Sequence, residues 1–157
     1  MANTTPVAFD PAPRRLGVVR NYLAASAILA GQIVSYAATG VTDTVAPSTS
    51  SLSAPVGVAL YSQATTGGVV AVAGNGSELK IMLSTDAGTA DAGDWIGVST
   101  IAGCGIVQDG ALANKAGEGA GLYPLGQAME DIAAGASTVG GKGYVKLNMQ
   151  PIWTLAG

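Results

Sequence analysis

The chain has 157 residues, 48% of them hydrophobic and only 11% charged, with 23 glycines, one cysteine, no histidine and a net charge of −3. The missing histidine removes Ser-His-Asp triads, Cys-His pairs, histidine-ligated zinc and histidine general bases together. The lone Cys104 removes any intramolecular disulfide and fits a reducing compartment. Charged residues fall far below the usual share of about 25%, so the surface must be built from Ala, Ser, Thr, Gly and Gln, which suits burial against neighbours.

Residues 1–20 read as an extended arm, because Pro6, Pro11 and Pro13 forbid a helix and no strand alternation is present. Residues 1–40 carry Arg14, Arg15 and Arg20 against Asp10, whereas the remainder carries four lysines against nine acids. A slightly basic arm therefore precedes an acidic body, and the three arginines are candidate docking residues for an acidic partner surface. Without interleaved aromatics they do not make a nucleic-acid site. The apolar stretch from Leu16 to Val41 is interrupted by Arg20, Asn21, Ser26, Gln32 and Ser35, so no membrane span is expected.

Residues 21–157 form the body. Residues 21–36 read as strand, turn, strand, and residues 42–54 as a loop of Ser, Thr and Pro. Residues 55–61 read as a strand whose central Gly57 marks a bulge or a tight barrel corner. Residues 69–73 and 79–83, joined by Gly74-Asn75-Gly76-Ser77-Glu78, read as a hairpin with Leu79, Ile81 and Leu83 on the core face and Lys80 on the other. A loop over 86–94 precedes short strands at 95–98 and 105–107. Cys104, among small and apolar neighbours, reads as a buried small hydrophobe. Beyond a loop at 109–121 come a strand at 125–129, a turn at 133–136 and a last strand at 143–149.

The order of pieces repeats. Ala30-Gly31-Gln32-Ile33-Val34, Pro55-Val56-Gly57-Val58-Ala59 and Val69-Val70-Ala71-Val72 are followed by Ala92-Gly93-Asp94-Trp95-Ile96, Pro124-Leu125-Gly126-Gln127-Ala128 and Tyr144-Val145-Lys146-Leu147. The expectation is an all-β chain: two small related β units, over about 24–84 and 85–150, packed as a compact barrel or sandwich-like body behind the arm.

No motif for catalysis, a cofactor or a metal emerges. Asp86, Asp91 and Asp94 lack the alternating ligands and terminal glutamate of a calcium loop. Gly103-Cys104-Gly105 and Gly74-Asn75-Gly76 do not continue into a phosphate-binding pattern. Ala128-Met129 is followed by Glu130, where a biotin carrier needs a lysine. The expectation is a protein that is not an enzyme. Trp95 and Trp153 stand isolated among small residues; both read as core anchors, and Trp153 has a second reading as a side chain that plugs into a neighbouring copy.

The phrases Ala30-Gly31-Gln32-Ile33-Val34, Val56-Gly57-Val58-Ala59 and the run from Pro124 through Gln127, Glu130, Asp131 and Ile132 to Gly135 resemble the cement, or head-decoration, proteins of tailed bacteriophages and related viruses. The resemblance covers roughly residues 20–150. It implies a β-rich body on the outer surface of an expanded icosahedral capsid, often a trimer, that clamps neighbouring subunits of the major capsid protein. On that expectation Arg14, Arg15 and Arg20 pair with capsid acids and Trp153 contacts another copy. The competing expectation is a β-sandwich adhesion or carbohydrate-binding module on a virion surface, which would require exposed aromatic platforms.

Overall fold

The structure is a computed structural model that describes residues 8–38, 40–48, 54–84, 89–99, 101–108, 124–133 and 141–149. Among these the chain is all-β. The strands are β1 (Val19–Ala24), β2 (Ile33–Tyr36), β3 (Thr44–Pro47), β4 (Pro55–Ala59), β5 (Val69–Ala73), β6 (Glu78–Met82), β7 (Trp95–Val98), β8 (Gly105–Gln108), β9 (Pro124–Ala128) and β10 (Lys142–Leu147). The first five close into a barrel in the order β1-β3-β2-β4-β5, and the other five form a sheet in the order β6-β10-β9-β7-β8.

The two sheets are copies of one plan. In the first, β2 pairs with β4 through Ile33↔Val58 and Val34↔Gly57, and a bulge after Val34 brings Ser35 opposite Pro55. In the second, β7 pairs with β9 through Trp95↔Gln127 and Ile96↔Gly126, and a bulge after Ile96 brings Gly97 opposite Pro124. The parallel pair Ala24↔Val45 that closes the barrel has a counterpart in the single parallel bridge Leu83↔Gly105. Two bridges flank the bulged strands in the same way, Ile28↔Gln63 in the first unit and Ala90↔Ile132 in the second. Gly31 and Gly93 both take left-handed backbone, with φ of 87° and 94°, and their N–H groups donate to the carbonyls of Ala59 and Ala128. A side chain at either site would strain that turn.

Glycine also governs closure. A Cβ on Gly57 would collide with the Ala73 carbonyl oxygen, and one on Gly126 with the Lys146 carbonyl oxygen. These strands cross too closely for any other residue, which is why each unit keeps a glycine next to its bulge.

The core sits in two places. Tyr22, Ala24, Ile28, Val34, Val45, Ala59, Val70 and Val72 fill the first barrel. Ile33, Val58 and Ala73, on the outer face of that barrel, join the aliphatic cluster of the second unit, which includes Leu79, Ile81, Leu83, Ile96, Val98, Leu125, Val145 and Leu147. Leu79, Ile81 and Leu83 are fully buried, as their alternation implied.

Three local expectations are corrected. The hairpin read over 69–83 does not form, because β5 pairs with β1 and β4 while β6 pairs with β10. The linker at Gly74–Ser77 carries the chain from one sheet to the next, so the units divide there and not near residue 84. The loop read over 42–54 contains β3, held by β2 on one side and β1 on the other; its Thr-Val-Ala-Pro sequence is too short to show alternation. The loop at 109–121 and most of the turn at 133–136 lie outside the described residues.

Gly57→Ala and Gly126→Ala are each expected to destabilise the fold by about 2 kcal/mol, in the range of overpacking changes, read as a lowered urea midpoint. Gly40→Ala, whose Cβ meets nothing within 4 Å, is the control for added volume, its own cost being confined to the left-handed φ of 80°.

Candidate functional site

The duplication makes the unlike positions visible. Val18, Arg20 and Tyr22 line a cavity of about 340 Å³ at one end of the first barrel, together with Tyr36, Pro55, Val56, Val72, Gly74, Asn75 and Met149. The register identifies their counterparts. Arg20↔Val72 matches Leu79↔Val145, and Tyr22↔Val70 matches Ile81↔Gly143. Tyr36↔Val45 matches Val98↔Gly105. The N–H of Gly74 donates to the Val18 carbonyl as the N–H of Leu147 donates to that of Ser77. The second unit thus has Leu79, Ile81, Val98 and Leu147 on the inner face of its sheet, all buried. The first unit has Arg20, Tyr22, Tyr36 and Gly74 at those positions and stays open. Barrel mouths with a few polar groups over an apolar floor are common ligand sites.

Tyr22 is buried at 9% exposure and its ring meets that of Tyr36 edge-on, with centroids 6.1 Å apart. Burial raises its hydroxyl pKa above the ordinary tyrosine value, the hydrogen bond and proximity of Tyr36 add to this, and Arg20 opposes it. The neutral phenol is therefore the form the fold prefers. Stability linked to Tyr22 is complete below pH about 10, the unfolded value, and is lost as pH rises through the folded value. Tyr22→Phe is expected to flatten that alkaline loss, measured by urea unfolding between neutral and alkaline pH.

The arm is not detached from the body. Arg15 bridges to Glu78, the N–H groups of Arg14 and Arg15 donate to the Glu78 carbonyl at 2.9 and 3.4 Å, and Lys80 N–H donates to the Pro11 carbonyl at 2.7 Å. Residues 11–15 thus cover the free edge of β6 as an irregular extra strand. Arg14 lies 3.6 Å above the Tyr144 ring, whose hydroxyl donates to the Ala12 carbonyl at 2.8 Å. The Phe9 ring packs against Gly31, with Lys142 5.5 Å away.

The three arginines read as one docking group are therefore separated. Arg14 is stacked within the chain, Arg15 is exposed along the β6 edge, and Arg20 belongs to β1 at the barrel mouth. Trp153 lies outside the described residues. Arg14→Ala is expected to remove about 1 kcal/mol of cation–π contact and so to speed hydrogen exchange of the Lys80 amide roughly five-fold, leaving the Leu79 and Ile81 side chains packed.

The counterpart edge on β1 is uncovered. Among the described residues, no backbone group bonds the N–H or carbonyl of Val19 or Asn21. Beside it Leu23, 40% exposed, stands opposite Val69, 58% exposed, and Val19, 41% exposed, shares their face of β1. Sequence reading missed this strip, because alternation alone assigns such residues to a core.

Two of the acidic residues, Asp94 and Asp131, hold turns, and Asp86 lies outside the described residues. Asp94 Oδ2 accepts the Asp91 N–H and Asp131 Oδ1 accepts the Ala92 N–H, each at 2.9 Å. In the first unit Gln32 Oε1 and Ser62 Oγ accept the equivalent N–H groups of Leu29 and Ala30. A neutral amide and a hydroxyl do the same work, so these carboxylates are turn caps. Among the described residues no group of three acidic or cysteine side chains is placed to hold a metal, and Cys104 is buried. Among the described residues no helix is long and apolar enough to cross a membrane.

No protein-family model matches the chain, and no curated protein is recognisably similar to it in sequence.

Proposed function

We propose that the protein is a non-catalytic structural component of a virion that decorates the outer capsid surface and binds neighbouring copies of the major capsid protein. The observation that carries this reading is the uncovered strip on the first unit. Leu23 and Val69 lie exposed opposite each other, with Val19 on the same face of β1, beside an open strand edge, and apolar side chains exposed in this way mark a protein–protein contact. The open edge of β1 offers main-chain groups to an extended segment of the partner, and Arg15 and Arg20 supply positive charge near an otherwise acidic body. The resemblance of Pro124–Gly135 and Val56–Ala59 to cement proteins gives the partner its identity and favours a trimer.

The mechanism that follows is differential affinity. A protein that binds only the expanded lattice stabilises that lattice by mass action, with no covalent step. A glycan-binding role rests on Tyr61, 67% exposed beside a groove shared with Phe9 and Ser62; binding on a glycan array that Tyr61→Ala abolishes would favour it.

The test is quantitative mass spectrometry of particles assembled with the wild-type chain or with Leu23→Asp and Val69→Asp combined. A simple lattice ratio to the major capsid protein is expected for the wild type. The double variant should bind at least tenfold more weakly, about 1.4 kcal/mol or more, with unchanged circular dichroism. Equal occupancy, or absence of the wild-type chain from particles, would remove the strip as the docking face.

A further inference from the structure

The open edge of β1 discriminates among the strands that could pair with it. From Leu23 onward the same edge is taken by β3, because the Leu23 and Ala25 N–H groups donate to the Asp43 and Val45 carbonyls at 2.8 and 2.9 Å. Ahead of Asp43 the chain turns aside, with the Val41 N–H donating to the Ala38 carbonyl at 3.2 Å. Val19 and Asn21 therefore keep two N–H groups and two carbonyls with no backbone partner among the described residues. Free groups of this kind are a template for an added strand.

Side chains divide across that edge. Arg20 shares the face of the barrel mouth with Val18 and Tyr22, whereas Val19 and Leu23 lie on the other face, with Val69 opposite Leu23. A second copy of the chain is a poor occupant. The antiparallel register that uses all four free groups sets Val19 against Asn21 of the second copy. It also sets Arg20 directly against its own counterpart, at the spacing of about 4.5 Å between the Cα atoms of a non-hydrogen-bonded pair. Like charges so placed destabilise the pairing. The mouth offers Arg20 no carboxylate, since none of the residues lining it is acidic. The Asn75 side chain there is engaged by the Met149 N–H and carbonyl at 2.7 and 3.5 Å.

We infer that the strand added to β1 is a short extended segment of a different chain, with a glutamate opposite Arg20 and an apolar residue on each side of it. The glutamate faces the mouth, a cavity of about 340 Å³, where it pairs with the guanidinium. Its apolar neighbours turn to the other face, beside the exposed Val19, Leu23 and Val69. Arg20 thus rejects self-pairing and selects the partner with one charge. The pairing rests on β1 being the docking face proposed above, yet it can fail alone: loss of charge selection leaves the particle experiment with Leu23→Asp and Val69→Asp unaffected.

Blocked peptides of sequence Thr-Val-Glu-Val-Thr, which is symmetric about its glutamate and so indifferent to strand direction, test the inference against forms carrying glutamine or lysine at the centre. Binding is read from the amide NMR shifts of Val19 and Asn21 in the full chain. The glutamate form should bind roughly threefold tighter than the glutamine form and roughly tenfold tighter than the lysine form, as expected of directly opposed cross-strand charges. Arg20→Glu should reverse the order, and Arg20→Gln, the milder change, should level it. Failure of every form to move the two amides overturns the proposal, as does a preference that survives a folded Arg20→Gln variant. Protection of both amides that develops with protein concentration alone also overturns it, because the edge then pairs with a second copy.

Discussion

The close crossing of strands at Gly57 and Gly126 is the constraint on which both units depend. A five-stranded barrel, or a sheet curved toward one, is narrow, and its strands must bend sharply. Each unit solves this with a bulge after Val34 or Ile96 and a side-chain-free residue opposite it, against the backbone of β5 or β10. Once that crossing is set, the order of the strands, the parallel contact that completes the ring and the left-handed turns at Gly31 and Gly93 follow in both copies.

The copies then differ in what their faces meet. Ile33, Val58 and Ala73 on the outside of the first barrel are buried against the second unit, while their counterparts Trp95, Gln127 and Lys146 lie on the outside of the second. One unit therefore contributes an apolar outer face and the other a filled interior, and their contact merges two thin cores into one. This arrangement compensates for the small size of the two units, neither of which has many large side chains to bury. It also leaves two features unused by the fold: the open mouth and the apolar strip along β1 and β5.

Those features bear on function in different ways. The strip has the chemistry of a contact surface, and the low charge of the body is in keeping with the adhesion between subunits that we propose. The arm, with Arg14 stacked on Tyr144 and its backbone laid along β6, already performs inside one chain the edge-covering that the β1 edge lacks. Extended segments added to strand edges are thus part of this molecule's own construction, and a partner segment at Val19–Asn21 would repeat it.

The sequence by itself determined the all-β class, the alternation that buries Leu79, Ile81 and Leu83, the repeated Ala-Gly and Pro-x-Gly phrases that mark the two units, and the exclusion of histidine chemistry. These are legible because period-2 alternation, glycine placement and residue absence are local properties. Only the tertiary structure decided that β5 and β6 part at Gly74–Ser77, that Thr44–Pro47 is a strand, and that Arg14, Arg15 and Arg20 occupy three different environments. Strand pairing is a long-range choice: two adjacent apolar runs joined by a turn look alike whether they pair with each other or with strands more than about sixty residues away, as β6 does with β10. Likewise the mouth is invisible in one copy of the repeat, because Arg20 and Gly74 become informative only when set against Leu79 and Leu147 in the register that the backbone imposes.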